Sequence, residues 1–185
     1  IDFRPFIKVE GVDAKEFRQQ RINIPEYTAI VFTAKVAIDH FFALCEEMRI
    51  VMPETMKYFC ISESVALYLQ KYIVYRKRKI FFSQTGKMDG LASSLSKHNK
   101  EKFIVPVSDV HNEDITAVLE DKKVDFIKAV MYRTVSTEFE PSEIDSYDLI
   151  VFFTPAGIAS LFKNYPDFEQ GEKAIGSFGA ATAKA

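Results

Sequence analysis

The chain has 185 residues, of which 48% are hydrophobic and 27% are charged, so it can bury a core and is not a disordered segment. Its formal net charge of -2 argues against a nucleic-acid-binding protein, because such proteins carry a basic surface. No apolar run approaches the ~20 residues of a membrane helix, no Cys/His cluster has metal-ligand spacing, and neither a phosphate loop nor a dinucleotide-binding motif occurs.

Short apolar runs alternate with amphipathic stretches along the chain, which favours an α/β fold with a parallel sheet covered by helices. Strands are predicted over residues 2–9, 28–33, 57–61, 79–82, 102–105, 126–135, 148–153 and 174–178. The second and seventh runs are almost wholly apolar, as expected of strands buried on both faces. An apolar stripe from Ala37 to Met48 predicts a helix, and three shorter stripes follow before residue 120. Pro106 is expected to mark a turn after the fifth strand.

The two cysteines fall within these predicted elements, Cys45 in a helix and Cys60 in a strand, both among apolar neighbours. This placement is typical of buried, reduced thiols. With no recognisable signal peptide, it predicts a cytoplasmic protein. The chain begins at Ile1 in what reads as a strand and stops at Ala185 in what reads as the first turn of a helix, so both termini are expected to be truncated.

Two strand–turn–helix segments recur in the same order. Residues 30–33, Ile-Val-Phe-Thr, resemble residues 151–154, Val-Phe-Phe-Thr, and a helix pattern follows each. Residues 61–66 then resemble residues 178–183, at nearly the same offset along the chain. An ordered pair of matches predicts duplicated α/β domains.

Thr33, Thr154, Ser62 and Gly179 each stand where one of these strands ends and a helix begins. Ligands of open parallel sheets bind beyond the carboxyl ends of the strands. The first N–H groups of a helix lack partners there and attract anions. The four residues therefore predict anion-binding helix N-termini facing a shared cleft. The alternative is that the threonines only cap their helices.

At these residues the sequence resembles the uroporphyrinogen-III synthase family. A family strand that ends in a Phe-Thr-Ser-type turn is resembled by residues 32–35, Phe-Thr-Ala-Lys, and by residues 153–157, Phe-Thr-Pro-Ala-Gly. The family's Gly-x-x-Thr-Ala is matched by residues 179–183, and its Val-Tyr-x-Thr is resembled by Met-Tyr-Arg-Thr at residues 131–134. The chain departs from the pattern at residues 62–66, which lack both the Gly and the Thr.

The resemblance implies two flavodoxin-like parallel-sheet domains joined by a two-stranded linker, with a cleft between them. Residues 1–10 and 142–185 would form a discontinuous and incomplete α/β domain, residues 11–128 an inserted α/β domain, and residues 129–141 the returning linker strand. It also implies a hydro-lyase of haem and porphyrin biosynthesis, which cyclises hydroxymethylbilane with inversion of ring D and loss of water. No cofactor or metal would be needed. The implied protein is a monomer that binds neither nucleic acid nor membrane and contacts hydroxymethylbilane synthase transiently.

Tyr132 is the catalytic residue that the resemblance implies, because a phenol stays protonated at neutral pH and can donate to the leaving hydroxyl. The alternative is that its ring only packs against a sheet. The predicted substrate-binding residues, which would meet the carboxylates of the tetrapyrrole, are Thr33, Lys35, Ser62, Ser64, Arg133, Thr154, Gly157, Gly179 and Thr182. A different class of function, a non-catalytic two-lobed α/β ligand-binding or signalling module, fits the same fold pattern.

Overall fold

The computed structural model describes residues 1–111 and 113–185. They divide into two compact units: Gly11–Arg133, called here the inserted unit, and Ile1–Glu10 together with Thr134–Ala185, called the terminal unit. Among the described residues, no helix has the length and apolar character needed to cross a membrane.

Each predicted strand has a counterpart in the structure, and short helices connect most of them. The strands are β1 (Ile7–Gly11), β2 (Ala29–Phe32), β3 (Lys57–Cys60), β4 (Ile80–Phe82), β5 (Lys102–Ser108), β6 (Asp125–Ser136), β7 (Leu149–Phe152) and β8 (Ala174–Ser177). The α-helices are α1 (Ala14–Gln19), α2 (Lys35–Glu47), α3 (Glu63–Tyr68), α4 (Ala92–Lys97), α5 (Asp114–Asp121), α6 (Pro141–Asp145), α7 (Pro155–Asn164) and α8 (Ala180–Lys184).

The larger sheet has the strand order β1-β6-β5-β2-β3-β4. Strands β2 to β6 run parallel to one another. Strand β1 runs antiparallel to β6, because the Val12 N–H bonds to the Met131 carbonyl and the Thr137 N–H to the Phe6 carbonyl, so residue numbers fall along one strand as they rise along the other. The chain is therefore a mixed α/β fold with a mostly parallel central sheet, as predicted.

The five parallel strands of the inserted unit are β2 to β6. If they are renumbered 1 to 5 in chain order, their order across the sheet is 3-2-1-4-5. A flavodoxin-like sheet has the order 2-1-3-4-5, so the flavodoxin-like detail implied by the resemblance does not describe this sheet. Apolar runs identify strands but not their lateral neighbours, because a crossover helix can place the next strand on either side. The order reverses between β2 and β5, the point at which open α/β sheets bind ligands.

The core of the inserted unit lies on both faces of its sheet. Alternate residues of β2 belong to different clusters of buried side chains, with Phe32 in one and Val31 in the other. In the first cluster the rings of Phe32 and Phe41 pack edge to face, 5.6 Å apart, and in the second Phe59 packs against Phe103 at 5.1 Å. Burial on both faces explains why β2 reads as a continuous apolar run.

The terminal unit has a smaller sheet, in which β7 pairs with β8 alone and in parallel. Its core consists of Ile144, Phe152 and Leu161, with partly buried neighbours. Leu149 and Val151 point to the other face of β7 and remain 55% and 39% exposed. The prediction that this apolar run is buried on both faces is therefore wrong for β7, because α7 covers only one face of the two-stranded sheet.

Two strand boundaries also differ from prediction. Strand β1 starts at Ile7 rather than residue 2, since Pro5 has no N–H to donate and Arg4 is held by its side-chain bonds to Tyr147 and Glu143. Strand β5 continues through Pro106, where a turn was expected. Its pairing with β2 stops at Ile104, so the proline lies where only β6 is paired and its missing N–H removes no bond to β2.

Candidate functional site

A cavity of about 750 Å³ lies at the carboxyl ends of the parallel strands in the inserted unit, and we call it the strand-end cavity. Thr33 lines it just after β2, Ser108 lines it at the end of β5, and Tyr132 lines it from β6. The strand order reverses between β2 and β5, so the cavity occupies the position where this class of fold binds its ligands. Its volume is within the range of small-molecule sites.

Tyr132, the predicted catalytic residue, is partly buried in the wall of this cavity. The register of β5 against β6 shifts between Val107 and Ser108, which brings Ser108 opposite Tyr132. Burial raises the pKa of the Tyr132 phenol above its usual value, so the group is protonated at neutral pH. Within the described residues its hydroxyl has no hydrogen-bond partner, and it is therefore available to a ligand.

Thr33 lies in the strand-end cavity, but it does not begin α2. The N-cap of α2 is Ala34, with the extended backbone of a cap residue and a methyl group that accepts no hydrogen bond. The placement of a helix start at Thr33 is therefore wrong by one residue, and so is the alternative that Thr33 caps the helix. The first N–H groups of this 13-residue helix have no side-chain cap.

Ser62 is the N-cap of α3. Its hydroxyl accepts a bond from the Val65 N–H at 3.4 Å, and its oxygen lies 3.1 Å from that of Ser64. The two hydroxyls thus bond locally at the start of α3.

The two predicted cationic ligands differ in their partners. Lys35, in the first turn of α2, places its ammonium 5.6 Å from the centre of the Tyr68 ring, and no described carboxylate pairs with it. Arg133 instead forms an ion pair and hydrogen bond with Glu16. The ammonium of Lys35 thus has no ion-pair partner among the described residues, whereas the guanidinium of Arg133 is paired, and neither residue lines the strand-end cavity.

Several lining residues of the strand-end cavity were missed by the sequence analysis, His111 among them. Its Nδ1 lies 2.8 Å from the Ser108 carbonyl, which can only accept, so Nδ1 carries the proton. Its Nε2 lies 3.5 Å from a carboxylate oxygen of Glu113. Extending the fifth strand past Pro106 would have placed these residues at a strand end, where ligand contacts are expected.

The terminal unit brings two predicted residues together in a separate cavity of about 250 Å³, lined by Thr154 and Gly157. Thr154 is the N-cap of α7 and accepts a bond from the Gly157 N–H at 3.3 Å, as the capping alternative predicts. Gly179 begins α8 with a φ of +83°, which favours glycine. The buried hydroxyl of Thr182 lies 3.4 Å from the Phe153 carbonyl.

No group of three or more His, Cys, Asp or Glu side chains that could hold a metal ion occurs in the part of the chain that the structure describes. Both cysteines are free and buried, and burial raises the pKa of each thiol to about 12.

Solved structures with the same fold include the uroporphyrinogen-III synthetase of Helicobacter pylori 26695, at 17% sequence identity and a TM-score of 0.62 over 97% of this chain and 78% of that one. A mutant uroporphyrinogen III synthase from the extremely thermophilic bacterium Thermus thermophilus matches at 13% identity and a TM-score of 0.58, over 97% and 76% of the two chains. The wild-type form of that enzyme matches at 12% identity and 0.53, over 97% and 75%. Identities this low show a shared fold.

Family membership is shown by the sequence itself. No curated protein is matched by the chain, but the family model described as uroporphyrinogen-III synthase HemD matches residues 1–185. The match covers every segment in which the resemblance was noted, from the strand-end threonines to the segment that contains Tyr132. The chain therefore belongs to the uroporphyrinogen-III synthase family, whose members are lyases of haem biosynthesis that act on a tetrapyrrole.

Proposed function

We propose that the strand-end cavity of the inserted unit binds hydroxymethylbilane and that Tyr132 is the proton donor for its cyclisation. The observation that carries the proposal is the Tyr132 hydroxyl. It is protonated, lines the cavity beside Thr33, and has no hydrogen-bond partner among the described residues. A donor that has no partner within the described residues and lies on a cavity wall can donate to a ligand there.

Charge on the substrate would be met by the main chain and by Lys35. Helix α2 starts without a side-chain cap, so its first N–H groups can bond to a carboxylate at the positive end of the helix dipole. Lys35 stands in the same turn with no described carboxylate as partner. Ser62, Ser64, Arg133, Thr154, Gly157, Gly179 and Thr182 remain predicted substrate contacts, and those already bonded within the protein would have to exchange a partner.

The proposed chemistry needs one proton. The electron-rich terminal pyrrole drives cleavage of the C–O bond of its hydroxymethyl group as Tyr132 donates a proton to the departing oxygen, which leaves as water and makes the methylene carbon electrophilic. Ring D attacks that carbon to form the spiro intermediate, whose rearrangement inverts ring D, and ring closure releases a proton that restores the phenol. Holding the substrate in a reactive conformation can lower the barrier by about 7–11 kcal/mol, whereas one general acid contributes about 10²–10⁴-fold. Geometry would therefore contribute more than the donor.

At the level of the whole chain, we propose that the two units are two α/β domains joined by the paired strands β1 and β6. The antiparallel pairing of β1 with β6 supports a chain that leaves one domain and returns beside itself. We also propose a cytoplasmic location, on the ground of the two buried free thiols, and, from the family resemblance alone, a monomer with transient contact to hydroxymethylbilane synthase.

The test is a cyclisation assay on Tyr132→Phe, with hydroxymethylbilane as substrate and the inverted type-III product separated from the spontaneous type-I product. Loss of the proton donor should lower kcat for the type-III isomer by about 10²–10⁴-fold, or less if water substitutes. Tyr58→Phe is the matched control, because it removes one oxygen from another tyrosine of the inserted unit, one whose phenol has a pKa raised to about 12 by burial. We expect the control to retain wild-type turnover.

Two results would contradict this assignment. Wild-type turnover in Tyr132→Phe would show that the phenol only packs. A loss no larger than in Thr33→Val would mean that no single donor dominates and that closure depends on how the cavity holds the substrate. The alternative of a non-catalytic ligand-binding or signalling module has no support from the comparisons, and it would require the wild-type protein to bind hydroxymethylbilane without producing the type-III isomer.

A further inference from the structure

The ring of Tyr132 lies against the imidazole of His40, which projects from α2. The two ring centres are 5.3 Å apart and the planes are within 19° of parallel. No other ring contact of Tyr132 occurs among the described residues. Since the hydroxyl also lacks a bond there, the phenol is held by packing: Tyr132 packs against the first buried cluster, and His40 is its stacked ring partner.

Gly11 makes this stack possible. The bonds from Val12 to Met131 and from Thr137 to Phe6 set the pairing of β1 with β6, and that pairing places Gly11 opposite Tyr132. A Cβ atom at position 11 would lie only 2.7 Å from Nδ1 of His40, closer than non-bonded atoms approach. The missing side chain of Gly11 is therefore the space in which the imidazole lies.

The stacked imidazole is neutral at neutral pH. Burial lowers the pKa of His40 below its usual value, and the neighbouring carboxylate of Asp39 only partly opposes that effect. A neutral imidazole places no cation against the phenol, so the contact leaves Tyr132 protonated and acts through the position of its ring.

We propose that His40 is a positioning residue for Tyr132, which holds the plane of the phenol so that the hydroxyl points into the strand-end cavity. The inference rests on the proposed function of Tyr132. It predicts that loss of the stack impairs the chemical step and leaves substrate binding largely intact, because His40 is not among the residues that line the cavity. Displacement of a reacting group by about 1 Å can cost up to about a hundredfold in rate.

The experiment compares His40→Leu with His40→Phe in the type-III assay on the full chain. His40→Leu fills the space without a flat ring and should lower kcat by about ten- to a hundredfold with KM little changed. His40→Phe restores a ring of similar shape and should recover most of the turnover. His98→Leu is the matched control: His98 also packs against an aromatic ring of the same unit, that of Phe81 at 4.7 Å, and its loss should leave kcat unchanged.

A second measurement separates positioning from general damage. In a Tyr132→Phe background, His40→Leu should have no further effect on kcat, because the hydroxyl through which it acts is gone. Gly11→Ala, which retains His40 but displaces its ring, should lower kcat as His40→Leu does. Thermal unfolding of each variant monitors the fold. If His40→Leu does not fold, the single variants His40→Phe and Gly11→Ala test the positioning role: His40→Phe should retain most of the turnover, and Gly11→Ala should lower it.

The outcomes distinguish the two proposals. If Tyr132→Phe is impaired and His40→Leu keeps wild-type kcat, the positioning role is wrong while the proposed function stands. The positioning role is also overturned if His40→Leu costs as much in the Tyr132→Phe background as in the wild type. If Tyr132→Phe turns over normally, the proposed role of Tyr132 fails and the role of His40 falls with it.

Discussion

The two units of the chain carry the same strand–threonine–helix segment and use it differently. In the terminal unit Thr154 is the N-cap of α7, and its hydroxyl bonds to the Gly157 N–H at 3.3 Å. In the inserted unit the helix starts one residue later, at an Ala34 cap that offers no hydrogen bond, and Thr33 lines the strand-end cavity. A shift of one residue in the start of a helix thus separates a threonine whose hydroxyl caps the helix from one whose hydroxyl does not.

The units also differ in how their sheets are covered. Side chains from both faces of the larger sheet are buried in separate clusters, whereas one face of β7 keeps Leu149 and Val151 exposed. Equally apolar strand sequences therefore carry unequal shares of the stability, since the hydrophobic contribution scales with the area removed from water. Three predictions test these differences, in order of expected effect.

The largest effect should separate a buried ring of the inserted unit from an exposed ring of the terminal unit. Phe59→Ala in the inserted unit removes a fully buried ring that packs on Phe81 and Phe103, and it should lower the free energy of unfolding by about 3–5 kcal/mol. Phe178→Ala in the terminal unit removes a ring that is 61% exposed and stacks on Phe153, at a cost of at most about 1.5 kcal/mol. Urea unfolding measures the free energy of unfolding of both variants. Equal losses would show that the exposed ring contributes as much to stability as the buried one.

The next prediction concerns the two threonines. Thr154→Val removes a helix cap and should lower the free energy of unfolding by about 0.5–2 kcal/mol. Thr33→Val removes no cap, so its stability should stay within about 0.5 kcal/mol of wild type, while its turnover in the type-III assay should fall. Thermal unfolding and the assay, run on both variants, check the pair. A larger loss of stability in Thr33→Val than in Thr154→Val would contradict this prediction and would indicate that Thr33 caps α2.

The smallest expected effect concerns two cationic side chains of the inserted unit, Lys35 and Arg133. Lys35→Met should raise KM for hydroxymethylbilane by up to about fivefold, the size expected of an exposed charge contact. Arg133→Met should change KM less, because the guanidinium is already paired with Glu16. Measurement of KM for both variants under the same salt conditions tests whether KM rises more for Lys35→Met than for Arg133→Met. Glu16→Gln serves as the matched control, since it releases Arg133 and should then make KM more sensitive to Arg133→Met.

Much of the fold could be predicted because local patterns report burial. The apolar run of β2 indicated a strand covered on both faces, and the stripe from Ala37 to Met48 indicated α2, which spans Lys35–Glu47. The pattern could not report that β5 passes through Pro106, since whether a proline is tolerated depends on which neighbouring strand is paired at that position. Nor could it give the lateral order of the strands, which results from contacts distant in sequence.

The candidate site likewise contains residues that local sequence patterns predict and residues that only contacts distant in sequence reveal. Tyr132 and Thr33 were predicted from the resemblance and from strand-end position, and the structure places both in one cavity. His111 and His40 were missed, because His111 follows an extension of β5 that the proline concealed and His40 is recognisable only from the ring stacked on it.

By itself, the sequence determined that this chain is an α/β protein of the uroporphyrinogen-III synthase family, because hydrophobic periodicity and short motifs are local properties of a chain. Only the tertiary structure decided which hydroxyls are engaged and which are available, since a hydrogen bond depends on atoms brought within about 3 Å of each other. Ser62 and Thr154 are used in caps, while the hydroxyl of Tyr132 lacks a partner among the described residues. The space for His40 was likewise decided by folding, because the absent side chain of Gly11 matters only where strand pairing places it opposite Tyr132.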